Sequence, residues 1–186
     1  KSQLANNLLL LSMIFYGHKT LLIDPKGDRN KLIDTLNTYG NICSHLVIGS
    51  EDSPAGMFDA FLLHKENIPE ALSIAKNDVI SLVRAVNKKQ KLNLMDIDRA
   101  YEDMCIAQKD GKIKQLTMGH LSEFLMKHDQ EAASNLLSLR KDPMARLFFG
   151  NDDTDLSTVF DLSKPFNLVT FAKLPVFSSE KGKYVY

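Results

Sequence analysis

The sequence has no Trp and only two cysteines, Cys43 and Cys105, which stand far apart with no CxxC partner. A disulfide framework and a four-cysteine zinc site are thereby excluded, and a reducing compartment is the natural reading. Neither sign of charge is in excess, since 23 Lys and Arg balance 23 Asp and Glu. That balance excludes a chain-wide polyanion binder, which needs cationic surface to displace counterions from phosphates. It leaves room for a local basic stripe. Apolar runs such as Leu8–Leu11 stay far short of the roughly 20 residues that cross a bilayer. The five histidines form no HxxxH pair or acid-flanked cluster, so no zinc site is expected. No GxSxG elbow is present to seat a hydrolase serine. What is there is a globular composition: 186 residues, 44% hydrophobic and 25% charged, enough for one ordinary domain or two very small ones.

The chain opens directly into Leu4, Ala5, Leu8–Leu11, Met13, Ile14 and Phe15, and closes on Lys183-Tyr184-Val185-Tyr186. A helix so apolar is expected inside a larger body, so the chain is expected to be a piece of a longer protein. Three zones follow. Residues 1–63 alternate helix and strand. The opening helix is expected to end at Gly17, which tolerates positive φ. Lys19–Asp24 reads as a short buried strand that ends in an acid, and Pro25-Lys26-Gly27-Asp28 as a turn. Leu32, Ile33 and Leu36 give Asn30–Thr38 one apolar face, and His45–Gly49 is a second strand. Strand, helix, strand at this spacing is a βαβ unit of a parallel sheet.

Residues 64–150 read as helix throughout. Pro69 suits a first turn, and Ala71, Leu72, Ile74, Ala75, Val79, Ile80, Leu82 and Val83 recur at helical spacing. Leu94–Cys105 carries a second stripe; Thr117 is placed to cap a third helix through Leu125. Gln130–Leu139 is a fourth and Pro143–Phe149 a short fifth. The methionines at 57, 95, 104, 118, 126 and 144 are expected in the core. Residues 151–186 return to β: Pro165–Ala172 is a strand, stopped by Pro175. Returning that strand to the sheet makes the chain an α/β fold with an inserted all-helical subdomain.

Lys1-Ser2 at the start of an apolar helix matches the last two positions of the phosphate-binding loop GxxxxGK[ST]. In that loop the lysine reaches the β- and γ-phosphates and the hydroxyl ligates Mg²⁺. A two-residue match is weak, and an exposed terminus reads the same way. Leu21-Leu22-Ile23-Asp24 has the form of a Walker B strand. Only one helix separates it from Lys1-Ser2, so it is instead the strand directly after the loop's helix. Asp24 then lies either at the carboxyl edge of the sheet, where open α/β sheets bind ligands, or simply in a turn, with Asp28 capping the next helix. Lys88, Lys89 and Lys91 form a basic cluster after the first inserted helix, read as a solvated helix end or a phosphate or partner contact.

Taken together, Lys1-Ser2, the apolar helix and Leu21–Asp28 with its Asp-Pro-Lys-Gly-Asp turn resemble the conjugation ATPases of type IV secretion systems, within the FtsK–HerA superfamily of RecA-like motors. The form of the turn is closest to that of conjugative elements of Gram-positive bacteria. Ser53–Asp59 stands where that family's chain enters an all-helical insertion, and Val159–Ser163 with Phe166–Phe171 resembles its return strand. The resemblance implies a partial RecA-like parallel sheet in segments 1–63 and 151–186, interrupted by the helical insertion 64–150. It implies a parent that hydrolyses ATP with Mg²⁺, Lys1 and Ser2 binding the nucleotide, Ser2 the metal, and Lys1, Asp24 and Asp28 as the catalytic set, with Lys1 at the γ-phosphate and the two aspartates near the nucleotide or the neighbouring subunit. A hexameric ring, membrane-embedded secretion-channel proteins and DNA are the implied partners, and the cytoplasmic face of the cell membrane the implied place. The loop's glycines, a Walker B acidic pair and an arginine finger are not in this sequence, so the chain by itself is expected to bind MgATP poorly. The alternative is a non-enzymatic interaction module, a helical docking subdomain on an α/β scaffold.

Overall fold

The computed structural model describes residues 8, 11–12, 15–24, 30–38, 40–50, 53–158, 164–171, 176–177 and 184–185. The chain divides into two compact units, Lys1–Ser53 with Ser157–Tyr186, and Pro54–Leu156.

The first unit is α/β. The opening helix expected from the sequence falls largely on residues outside those described; Phe15 and Tyr16 are helical and Gly17 follows with φ 65°. Strand β1 is Thr20–Asp24, helix α1 is Asn30–Asn37, and strand β2 is Cys43–Ile48. Strand β3, Phe166–Phe171, comes from the far side of the helical unit in sequence and lies between β1 and β2. Both pairings are parallel, with Thr20 and Cys43 opposite Phe166 and with Asp24 and Val47 opposite Thr170. The strands of the βαβ unit therefore do not pair with each other; each is hydrogen-bonded to β3. Helix α1 turns Ile33 and Leu36 onto Cys43, Phe166 and Leu168, a small core on one face of the sheet. Phe166 and Leu168 are fully buried, each contributing roughly 1.5–3 kcal/mol by removal from water. Asn167, on the opposite face, donates to Thr20 O at 3.2 Å and Lys164 O at 2.9 Å, stitching the start of β3 to β1. Val176–Phe177 (β4) and Tyr184–Val185 (β5) pair antiparallel as a separate two-stranded ribbon.

The second unit contains no strand. Its helices are α2 (Ala60–Leu63), α3 (Ile68–Val86), α4 (Leu94–Lys109), α5 (Met118–Leu125) and α6 (Gln130–Leu139). Each begins at a side-chain cap: Asp59, Asn67, Asn93, Thr117 and Asp129. The cap oxygen takes one of the first-turn N–H groups that no helical carbonyl reaches. Ala71, Ala75, Val79 and Val83 form one buried stripe along α3. They meet Ile97, Ala100 and Met104 of α4, Leu121 and Leu125 of α5, and Ala132, Ala133 and Leu136 of α6. Small residues on α3 and α6 let neighbouring helices approach closely. Two expectations fail here. Pro143–Phe149 is not an α-helix; Ala145–Phe148 is a 3-10 turn, because Asp142 Oδ1 accepts from both Met144 N and Ala145 N at 2.9 Å and tightens the chain at its start. Met95, in the first turn of α4, is 60% exposed rather than core.

Candidate functional site at the carboxyl edge of the sheet

In a parallel sheet all strands end on one edge, and the backbone there turns outward into loops that can take a ligand. In the first unit this edge is formed by Asp24, the last residue of β1, with Thr170 of β3 in register beside it and Val47 beyond. Side chains alternate along a strand, so these residues share a face with Leu22, Leu168 and His45, one step back in the register. Asp24 is 3% exposed and Thr170 is 2% exposed. A buried acid after three apolar residues, Leu21, Leu22 and Ile23, is thus held by the strand itself, and it reaches the edge because β1 stops there.

His45 lies on the same face, with its Nε2 2.9 Å from Thr170 Oγ1. Loss of hydration pushes the imidazole pKa below its usual value, and the charge of Asp34 on α1 works partly against this. The neutral ring is therefore favoured at neutral pH. The end of β2 is closed by two serines. Ser53 Oγ donates to Val47 O at 2.6 Å, and Ser50 N donates to Ser53 Oγ at 2.9 Å. The edge thus offers a carboxylate and hydroxyls, with one imidazole.

Of the residues singled out from sequence, Asp24 is placed at this edge. Lys1, Ser2 and Asp28 lie outside the described residues. Lys88, Lys89 and Lys91 are exposed in the turn that follows α3, beside the negative end of that helix. Nothing in the sequence pattern singles out Thr170 and His45 as site residues. Their meeting depends on β3 lying next to β2, which no local pattern encodes; a polar residue within each apolar strand is the signal available. Among the described residues, no three side chains of His, Cys, Asp or Glu converge as a metal site would require. No helix among them is long and apolar enough to cross a membrane.

The profile of the AAA-like domain family matches residues 1–180. The chain belongs to the AAA-like domain family. It is accordingly a P-loop ATPase-type domain, of a family of ATPase motors, and nucleotide with Mg²⁺ is the ligand class that the family suggests for the full-length protein. The α/β architecture agrees with this: a small parallel sheet interrupted in sequence by a helical insertion is a partial RecA-like fold. No curated protein and no solved structure matches the chain.

Proposed function

We propose that this AAA-like domain belongs to a motor that hydrolyses ATP to drive conjugative DNA transfer or type IV secretion, of the type found in Gram-positive conjugative elements. The observation that supports this reading is the family match over residues 1–180 combined with β1, an apolar strand that ends in buried Asp24 and runs into Pro25-Lys26-Gly27-Asp28. In this reading Lys1 and Ser2 hold the β- and γ-phosphates, and Ser2 is a ligand of Mg²⁺. Asp24 and Asp28 stand near the nucleotide or the neighbouring subunit of a hexameric ring. The groups at the sheet edge suit the role. A hard cation such as Mg²⁺ prefers oxygen donors, and the edge supplies the Asp24 carboxylate and the Thr170 hydroxyl. Bound MgATP would supply a phosphoanhydride whose charge is partly neutralised by the metal. The chain's part is to position: the strand fixes Asp24, and Thr170, tied to His45, fixes the neighbouring hydroxyl. Membrane-embedded channel proteins at the cytoplasmic face of the cell membrane, with DNA, complete the proposed partners.

The test is ATP hydrolysis by the full-length protein, alongside transfer frequency from donor cells. Lys1→Ala and Asp24→Asn should each reduce hydrolysis by about a hundredfold or more, the scale of losing one charged group at a reacting phosphate, and transfer should fall with it. Undiminished transfer with Lys1→Ala in a correctly folded protein would leave the interaction module as the better account.

A further inference from the structure

The turn that joins α3 to α4 lies in a stretch of one-sided charge. From Arg84 to Met95 the sequence holds four cations, Arg84, Lys88, Lys89 and Lys91, and no acid, in a chain whose charges balance overall. All four side chains are exposed, and among the described residues none of them forms an ion pair. The acids that border the stretch are engaged: Asp96 pairs with Arg99, and Asp98 with Lys76. Glu131 accepts from Asn87 Nδ2 at 3.2 Å and stands as one carboxylate against the four cations.

Apolar side chains are exposed in the same stretch. Residues three apart share a helix face, so Val86 continues the face of buried Val83 at the end of α3, and Leu94 precedes buried Ile97 at the start of α4. Val86, at 45%, and Leu94, at 48%, are nonetheless exposed, as is Met95. The apolar faces of the two helices thus run past the core at this end of the helical unit. A helix C-terminus attracts cations, but that does not account for unburied Leu and Met beside them. The composition selects the partner. Protein interfaces concentrate aromatics and Arg and are poor in Lys. Nucleic acid gains from aromatic stacking, and this stretch has no aromatic residue. Lysine is a compact, hydrated point charge on a flexible apolar stem, which suits a diffuse layer of phosphates. Aliphatic side chains beside it enter the boundary between headgroups and acyl chains.

We propose that this end of the helical unit docks on an anionic lipid surface, with Lys88, Lys89 and Lys91 among the headgroup phosphates and Leu94 and Met95 in the layer beneath. The contact needs no nucleotide and does not rest on the motor reading above; to the membrane placement given there it adds a lipid contact made by the chain itself.

The test is co-sedimentation of the 186-residue chain with vesicles of phosphatidylcholine, alone or mixed with phosphatidylglycerol, in the absence of ATP. Binding should require phosphatidylglycerol and weaken as salt rises. Lys88→Gln, Lys89→Gln and Lys91→Gln combined should lower it by about a hundredfold, roughly fivefold for each cation at an anionic surface. Leu94→Ser with Met95→Ser should lower it by about tenfold or more, which a purely electrostatic contact would not show. All five side chains are exposed, so these variants should keep the Tm of the native chain. Lys109→Gln, at the other end of α4, should bind as the native chain does. Absence of binding, equal binding to phosphatidylcholine alone, or undiminished binding in either combined variant would overturn the proposal. So would a loss with Lys109→Gln as large as that of the triple variant. Binding of duplex DNA in place of vesicles, dependent on the three lysines and indifferent to Leu94→Ser with Met95→Ser, would overturn it in favour of a nucleic-acid surface.

Discussion

The Asp59 carboxylate accepts the backbone N–H of Gly150, 91 residues further along the chain, at 2.8 Å. The same oxygen accepts Met118 N at 2.7 Å, and the other accepts Phe61 N at 3.0 Å. One fully buried acid thus caps α2, holds the first residue of α5 and pins the chain after the 3-10 turn. Truncating it leaves three buried N–H groups without their acceptor, each costing about 1–3 kcal/mol. Asp59→Ala should therefore destabilise the helical unit by several kcal/mol in urea unfolding. Asp59→Asn, which keeps one acceptor oxygen, should recover part of that loss.

The same carboxylate gives the unit a pH dependence of unusual sign. Burial raises the Asp59 pKa to about 6 from the ordinary 3.8, and the N–H bonds from Gly150, Met118 and Phe61 offset only part of that rise. A carboxyl whose folded pKa lies above its unfolded one favours folding when protonated, so the unfolded chain binds fewer protons between the two values. Stability from this group is fullest below about pH 4 and falls as pH rises through 6. The span is about 3 kcal/mol at most. Subtracting the pH profile of Asp59→Asn from that of the native chain should isolate a decline across this window; a difference rising with pH would contradict the assignment.

Three glycines pack around this junction. A Cβ on Gly119 would lie 2.1 Å from Gly150 O, and one on Gly150 would lie 2.9 Å from Asp59 Oδ2 and 2.7 Å from Leu62 Cδ1. Gly56 combines a φ of 74° with a 2.4 Å approach to Gly150 Cα. Backbone atoms cannot yield as a flexible side-chain end can. Gly119→Ala and Gly56→Ala should each cost at least about 1–3 kcal/mol, the usual cost of overpacking. Gly111→Ala, where φ is 73° but no atom lies within 4 Å, should cost less, through backbone strain alone. A ranking by urea midpoint that placed Gly111→Ala lowest would be inconsistent with this packing.

The helices of this protein are legible in its sequence because their signals are local. Ala71, Ala75, Val79 and Val83 recur every four residues, and Thr117 caps α5 by accepting His120 N at 3.1 Å, as its position suggests. The strands are legible as apolar runs, and Asp24 as the acid that ends one. Strand order is another matter. β3 reaches its place between β1 and β2 only through pairings more than a hundred residues apart in sequence, so the neighbours of Asp24 could not be read. Asp59 is hidden for the same reason. Its local sign, an acid before the apolar Ala60–Leu63, announces a helix cap, but its bonds to Met118 and Gly150 depend on chain segments that meet only in the fold.

The two-unit division makes a further expectation about cooperativity. Phe166 and Leu168 are the fully buried centre of the small sheet core, and β3 is the strand through which β1 and β2 are joined. Leu168→Ala removes packing between α1 and the sheet and should cost the α/β unit about 2–5 kcal/mol. A core this small has little stability to lose. The helical unit keeps its own contiguous core of residues from α3, α4, α5 and α6, none of which touches Leu168 in that cluster. Native-state hydrogen exchange should therefore show lost protection at Leu22, Leu46 and Val169 in Leu168→Ala, with Val79, Met104 and Leu136 unchanged. The complementary Val79→Ala should reverse the pattern. Equal loss of protection in both sets for either variant would mean that the chain unfolds as one cooperative body, and that the contact boundaries at Pro54 and Leu156 do not mark independent folding units.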